Sequence, residues 1–409
     1  MKVPRCKGTR DLIPRDMVNF RQVEGIFGEC CRNWGYQEIR TPVLEYLHLF
    51  TSAGALTPDM LSRVYSFLDW DGWSGERVVL RPDGTIPAAR LYIENLQHLA
   101  GAKLFYVENV FAFEGTGTKL RERWQCGAEL IGGSITEGDV ELIILALEAI
   151  SRLGIEPVEV RLSHAGVIKT LLNGVGLDIE QHENVLDQVF AGNLSALGDI
   201  KGINPKLRKS LKLLFGLRGS SPSFVENLRS TFMPSFPALE PSLDNLGAVA
   251  RLLTDLGYGY QIDFTSGRGF EYYTGTIFGF YSADRRLGRG GRYDELIPLV
   301  GGRSVSASGF ALYIDELMNL AEEPLAEDRI LVRSKGAEVK SCFEVCRLLR
   351  DAGYTAEIDL GCQQAADCRW IVDIDAEGKM GLTDQVGSKK KRKLSFAVLL
   401  ETIGEAGCK

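Results

Sequence analysis

Two polar side chains lie four residues apart in a segment that is otherwise predicted to be an apolar strand. The segment, residues 124–132, follows a Gly- and Thr-rich turn and carries Gln125 and Glu129. Because side chains alternate across a strand, residues with even spacing lie on one face. A buried amide and carboxylate both need polar partners, so the pair indicates a ligand-binding wall. A solvent-exposed strand face accounts for the pattern equally well.

A second candidate is an arginine flanked by glycines and followed by two tyrosines. Residues 267–275 contain Arg268, Tyr272 and Tyr273. A guanidinium between two small residues can approach a carboxylate closely and bind it through two parallel hydrogen bonds. Because adjacent residues of a regular strand point to opposite faces, we expect only one of the tyrosines to line a pocket.

The elements that must position these residues alternate between helices and strands. Apolar spacing predicts an amphipathic helix over residues 16–34, and Gly35 is a natural end for it. A strand over residues 77–80 leads into a Pro-Asp-Gly-Thr turn. A long helix is predicted over residues 136–153, a largely helical segment over about 164–257, and strands over 260–264 and 276–281.

Length and composition indicate a multidomain protein of ordinary soluble composition. A chain of 409 residues predicts two or three domains. We place them at residues 1–325, with a helical insertion at about 165–257, and at 328–409. The net charge of −7 argues against a general nucleic-acid binder, and the sequence lacks an apolar run of membrane-spanning length. Nine cysteines without a framework spacing predict reduced thiols and a cytoplasmic location, with no metal site and no cofactor.

Several separate motifs resemble the class II aminoacyl-tRNA synthetases of the histidyl type. The resemblance covers about residues 5–400. It rests on an opening signature, motif 1 at the family's dimer interface, the Pro-Asp-Gly-Thr turn, motif 2, two histidyl-specific elements and motif 3, at residues 7–11, 35–45, 81–85, 110–132, 267–275, 288–294 and 309–317. It implies an α+β fold with an antiparallel sheet, flanking helices, a helical insertion and a small C-terminal α/β domain like a degenerate anticodon-binding domain.

The resemblance also implies a binding site for L-histidine. By analogy, Arg268 pairs with the carboxylate of the amino acid, and Glu129 with Tyr273 contacts the imidazole. The ammonium group is assigned to three further side chains. They are Asp83, Thr85 and Gln125. Tyr272 belongs to the same candidate site, and we assign no catalytic residue.

Three positions depart from the synthetase pattern where that family holds ATP. Ala112 replaces the arginine that contacts the α-phosphate, Glu316 replaces the arginine that stacks on adenine, and Tyr313 replaces a glycine. Losing one positioned cation costs about 3 kcal/mol of transition-state stabilisation, and Glu316 adds repulsion toward a triphosphate. Lys119, Arg121 and Arg123 remain nearby, so weak nucleotide binding stays open.

These departures resemble a non-catalytic branch of the family, the ATP phosphoribosyltransferase regulatory subunits of histidine biosynthesis. Asp83, where the synthetases carry a glutamate, is usual in that branch. The resemblance implies a short-form catalytic subunit as partner, a homodimer through motif 1, feedback by histidine, and neither membrane nor tRNA binding. The alternatives are a divergent histidyl-tRNA synthetase and a stand-alone RNA-binding pseudosynthetase. The basic cluster Lys389 to Lys393 predicts a solvated turn before a strand over residues 394–400, with phosphate binding as the alternative.

Overall fold

The computed structural model divides the chain into two compact units, Met1–Glu323 and Pro324–Lys409. It describes residues 3–53, 61, 63–70, 75–113, 119–173, 205–266, 272–322, 329–361, 368–386 and 389–407.

The first unit contains ten α-helices within these ranges. They are α1 (Pro14–Asn33), α2 (Leu47–Ser52), α3 (Thr85–Leu91), α4 (Ile135–Arg152), α5 (Ala165–Asn173), α6 (Pro205–Gly216), α7 (Pro222–Phe232), α8 (Glu240–Asp255), α9 (Leu296–Leu299) and α10 (Ile314–Leu320). A π-helical turn, Tyr92–Leu96, continues α3. None of the helices in the described part of the chain is long and apolar enough to cross a membrane.

A nine-stranded sheet forms the centre of the first unit. Its strands, in spatial order, are β1 (Gln37–Glu38), β5 (Ala102–Phe111), β6 (Glu122–Ile131), β12 (Ala307–Tyr313), β11 (Arg285–Arg292), β10 (Thr276–Ser282), β7 (Glu159–His164), β9 (Gln261–Asp263) and β8 (Arg218–Gly219). The six strands from β5 to β7 pair antiparallel. At the edges, β1 pairs parallel with β5, β9 pairs parallel with β7, and β8 pairs antiparallel with β9. Motif 2 therefore supplies the end of β5 and all of β6, and motif 3 supplies most of β12 and the start of α10.

The amphipathic helix α1 buries its apolar stripe in the main core. Phe20, Val23 and Phe27 recur at helical spacing and are buried. Pro14 stands at the first turn, where its missing N–H costs no helical hydrogen bond. The helix ends before Gly35, whose positive φ of 80° suits a residue without Cβ.

A small three-stranded antiparallel sheet lies beside the main sheet within the first unit. The spatial order of its strands is β2 (Leu44–Tyr46), β4 (Gly75–Leu80) and β3 (Ser66–Trp70), so β2 and β3 are both edge strands. Every residue of β3 is exposed. The large apolar side chains exposed on this sheet are Leu44, Tyr46, Phe67, Leu68 and Trp70. Such a concentration is typical of a surface that is covered in an assembly.

The second unit is an α/β layer with a mixed five-stranded sheet. Its elements are β13 (Arg329–Lys335), α11 (Val339–Asp351), β14 (Thr355–Ile358), β15 (Trp370–Asp375), β16 (Met380–Asp384), β17 (Lys389–Leu394) and α12 (Phe396–Gly407), with strand order β14-β13-β15-β16-β17. Strands β14, β13 and β15 are parallel, and the last two pairings are antiparallel.

Two local predictions for this unit are wrong. The basic cluster is the edge strand β17 rather than a turn, and the apolar run after it begins helix α12 rather than a strand. Leu399 and Ile403 are buried one helical turn apart against the C-terminal core. A short apolar run does not distinguish strand from helix by itself.

Candidate functional site

Three neighbouring strands present one face to a cavity, and their register sets its floor. Glu129 of β6 lies opposite Gly309 of β12, and the next position on that face of β6 is a glycine opposite Ala311. Ala311 in turn lies opposite Arg289 of β11. Cross-strand partners share a face of the sheet, so the floor consists of small residues flanked by polar ones.

The glycines in this floor are required by close contacts. A Cβ at Gly309 would lie 1.8 Å from Oε2 of Glu129, and a Cβ at Gly127 would lie 2.1 Å from the ring of Tyr106. Neither distance is sterically allowed. The backbone of β12 therefore packs directly against the carboxylate, as we expect where a buried polar group faces a ligand site.

The enclosed part of the cavity has a volume of about 190 Å³. Asp83, Thr85, Gln125, Tyr272 and Tyr273, which the sequence assigned to histidine binding, all line it. Pockets that enclose drug-sized ligands usually measure about 300–1,000 Å³, so this space suits a molecule of amino-acid size.

Glu129 lies immediately behind the cavity wall and is fully buried. Tyr106 Oη donates a hydrogen bond to Oε1 at 3.0 Å, and Tyr293 Oη donates one to Oε2. Burial raises the pKa of the Glu129 carboxyl to about 8, although hydrogen bonds from Tyr293, Thr85 and Tyr106 act in the opposite direction. Tyr293 itself lines the cavity, so it connects this carboxyl to the ligand space.

Asp83 lies at the amino-terminal end of α3. Its Oδ1 accepts a hydrogen bond from the backbone N–H of Ile86 at 3.0 Å, and the hydroxyl of Tyr272 lies 3.5 Å from Oδ2. Burial raises the pKa of the Asp83 carboxyl, while the backbone hydrogen bond and the positive charge of Arg289 oppose that shift. The carboxylate is therefore held at the helix terminus and faces the cavity, where it can receive an ammonium group.

Both tyrosines of the candidate site line the cavity, so the prediction that only one does is wrong. Tyr272 and Tyr273 precede β10 in a turn, where strand alternation does not apply. Their ring centroids are 4.9 Å apart, and Lys169 donates a hydrogen bond to the carbonyl of Tyr273 at 2.8 Å. Arg268 lies outside the described residues, so its assignment to the carboxylate stays a prediction.

Of the three positions that depart from the synthetase pattern, Tyr313 is the one that lines the cavity in the described part of the chain. Ala112 follows the last residue of β5, and its N–H donates to the carbonyl of Arg121. Tyr313 lines the cavity, and Glu316 lies on α10 with its carboxylate 4.0 Å from Arg285. A tyrosine ring and a carboxylate thus occupy the positions where the synthetases keep open space and a cation.

Two arginines in the cavity wall were missed by the sequence analysis. Arg286 and Arg289, both on β11, line the cavity together with Arg123 of β6. They stand three residues apart, and a regular strand would place them on opposite faces. The strand is irregular here, because the register shifts between Phe280 and Tyr281.

The buried histidine His164 is a structural residue. Its Nδ1 accepts a hydrogen bond from the N–H of Gly166 at 3.1 Å, and its Nε2 lies 3.1 Å from Oδ1 of Asn245. Burial lowers the pKa of His164 to about 4. The neutral ring therefore joins β7 to α8 by hydrogen bonds.

The model of the histidyl-tRNA synthetase family matches residues 8–317 of the chain. The chain belongs to this family. An ATP phosphoribosyltransferase regulatory subunit from Dehalococcoides mccartyi is 47% identical over 95% of each chain. A histidine–tRNA ligase from Methanosarcina acetivorans is 34% identical over 98% of this chain and 99% of its own. The resemblance on which the sequence analysis rested is thus confirmed, including the placement in the regulatory branch rather than among the ligases.

The fold prediction for this member of the histidyl-tRNA synthetase family is also confirmed. A crystal structure from Bacillus halodurans, described as an ATP phosphoribosyltransferase regulatory subunit/histidyl-tRNA synthetase, superposes with a TM-score of 0.78. It covers 92% of this chain and 99% of its own, at 24% identity. At that identity the likeness shows the class II fold alone.

Proposed function

We propose that the chain is the regulatory subunit of ATP phosphoribosyltransferase, which supports the first step of histidine biosynthesis without catalysing it. The observation that carries this proposal is the 47% identity to a subunit of that name over 95% of both chains. The replacements Ala112, Tyr313 and Glu316 support it, because amino-acid activation depends on cations that those positions no longer provide.

We further propose that the cavity binds L-histidine as the feedback signal. Asp83, Thr85 and Gln125 surround the ammonium group, and Tyr273 with the Tyr293–Glu129 pair reaches the imidazole. Arg268 is proposed to pair with the carboxylate. Feedback requires that histidine bind two states of the assembly with different affinity, which couples the site to the catalytic partner.

The proposed partner is the short-form catalytic subunit of ATP phosphoribosyltransferase. We place the assembly in the cytoplasm, since buried free thiols such as Cys30, Cys31 and Cys126 persist where the environment is reducing.

The function is tested by assaying the purified chain with and without a short-form catalytic subunit. We expect stable co-purification, phosphoribosyltransferase activity that depends on both chains, inhibition by histidine, and no histidine-dependent pyrophosphate exchange by this chain. An authentic histidyl-tRNA synthetase serves as the positive control for exchange. Robust exchange by this chain would instead identify a divergent ligase, and bound tRNA without the partner would identify an RNA-binding pseudosynthetase.

We propose that the chain forms a homodimer through the motif 1 region and the adjoining small sheet. Trp70 is 70% exposed and Phe67 is 46% exposed on β3, an edge strand of that sheet. Covering both would remove apolar area from water. The double replacement Phe67→Asp and Trp70→Asp should convert the dimer to a monomer in light scattering after size exclusion.

The matched control for the dimer test is Leu256→Asp, which changes a 53% exposed leucine just after α8. Leu256→Asp should leave the mass unchanged. A dimer that persists in the double variant would move the interface away from this sheet.

A further inference from the structure

The basic wall of the cavity, formed by Arg286 and Arg289, is created by an irregularity in β11. Phe280 of β10 pairs with Gly288, whereas the next residue, Tyr281, pairs with Arg286. Leu287 is therefore the extra residue of a β-bulge, and it is fully buried. The bulge shifts the alternation of the strand, so Arg286 joins Arg289 at the cavity.

Arg285 directly precedes Arg286 in regular register and therefore lies on the opposite face of the strand. Arg285 is exposed at the start of β11, and its guanidinium lies 4.0 Å from the carboxylate of Glu316 on α10. Two consecutive arginines of one strand thus have different surroundings. One lines the cavity and the other forms an exposed ion pair.

Arginines outnumber carboxylates among the described residues of the cavity wall. Among the described residues that line it, Arg123, Arg286 and Arg289 face a single carboxylate, that of Asp83. Arg289 is close enough to Asp83 and to both tyrosines to affect their titration. A half-buried guanidinium at a small cavity binds oxyanions in fork geometry.

We propose that Arg286 and Arg289 form an oxyanion subsite that the bulge in β11 places beside the amine-binding Asp83. The inference rests on the proposed binding of histidine and extends it, because it adds Arg286 and Arg289 of β11 to the proposed Arg268 as cations for the anionic end of the ligand. The oxyanion is the carboxylate of the bound amino acid or a free phosphate group. Both offer the pair of oxygens that an arginine fork accepts.

A cycle of variants and ligands tests this subsite by calorimetry on the full-length chain. The variants are Arg286→Met and Arg289→Met, with Arg285→Met as the matched control from the same strand. The ligands are L-histidine, histamine, which lacks the carboxylate, and inorganic pyrophosphate. Removing an arginine that binds the carboxylate should weaken the binding of histidine roughly 10- to 150-fold and leave the affinity for histamine unchanged. Arg285→Met should match the original chain for every ligand.

The outcomes separate this inference from the proposed function. If the Arg286 or Arg289 variant loses affinity for histidine alone, the oxyanion is the carboxylate of the amino acid. If it loses affinity for pyrophosphate alone, the oxyanion is a phosphate. Equal affinities in all four proteins, with histidine bound tightly by each, would overturn the subsite and leave the histidine sensor intact. An original chain that binds histidine no better than histamine would overturn the sensor itself. Arg289→Lys, which retains charge without the fork, should give an intermediate loss, and circular dichroism verifies folding.

Discussion

Replacing Glu129 with glutamine should stabilise the ligand-free protein at neutral and alkaline pH while weakening histidine binding. The carboxyl is fully buried, and burial raises its pKa to about 8. Unfolding returns it to a pKa of about 4.3. The folded state therefore retains a proton that the unfolded state releases.

The sign of the pH dependence is set by this difference in bound protons. The stabilising contribution of the protonated Glu129 carboxyl is fully present below its unfolded pKa and is lost as the pH rises toward about 8. One proton corresponds to a slope of at most about 1.4 kcal/mol per pH unit. The advantage of Glu129→Gln in thermal unfolding should thus grow from about pH 5 to about pH 8 and then level off.

The Glu129→Gln variant should bind histidine more weakly than the original chain does, although it is more stable without the ligand. The carboxyl holds Tyr293 at the cavity wall, and in Glu129→Gln one of its two acceptor oxygens becomes an NH2 group that cannot accept a hydrogen bond from a tyrosine. A hydrogen bond between neutral groups contributes about 0.5–1.5 kcal/mol, so calorimetry should show a loss of histidine affinity of roughly 2- to 10-fold.

The control for the Glu129 experiment is Glu122→Gln at the start of the same strand, where the side chain is only half-buried. That variant should track the original chain in both assays. A stability difference between Glu129→Gln and the original chain that stays constant across pH would show that the carboxyl is ionised in the folded state, contrary to this prediction.

Replacing Arg292 with methionine should cause the largest loss of folding stability among the variants proposed. Its guanidinium donates to Oδ1 of Asp139 at 2.7 Å, to Oδ1 of Asp294 at 3.0 Å and to the carbonyl of Ile135 at 2.8 Å. Arg292 is 3% exposed and Asp139 is fully buried. Removing one partner of a buried pair costs about 3–5 kcal/mol, because the other charge is left without compensation.

The stability loss should be measured by chemical denaturation and compared with two further variants. Arg292→Met combined with Asp139→Leu removes both charges and should regain much of the loss, since replacing a buried ion pair with apolar residues is often neutral. Arg251→Met removes an exposed partner of Glu226 and should cost less than about 1 kcal/mol. An unchanged stability in Arg292→Met would mean that the Asp139 carboxyl is protonated in the folded state.

The Arg292 variant should also disturb the cavity, since Arg292 directly precedes Tyr293, which holds Glu129. The ion pair anchors the end of β11 to α4 across the sheet. Weaker histidine binding in the folded variant would show that this anchor positions the site.

Regular periodicity in the sequence was enough to predict some parts of this structure. The even spacing of Gln125 and Glu129 placed both on one face of β6, and the apolar stripe of α1 predicted its buried side. Strand and helix periods are properties of local backbone geometry, so such patterns survive folding unchanged.

Features that depend on irregular backbone or on distant partners emerged only in the folded chain. The bulge in β11 brings Arg286 to the cavity, and a turn brings Tyr272 and Tyr273 to it together. Glu129 is held behind the wall by a hydroxyl from β5 and another that follows β11. The pairing of strands far apart in the chain sets that geometry and, through burial, the pKa of the Glu129 carboxyl. Residue types and spacing thus indicated which side chains carry the chemistry, whereas strand register decided which of them meet.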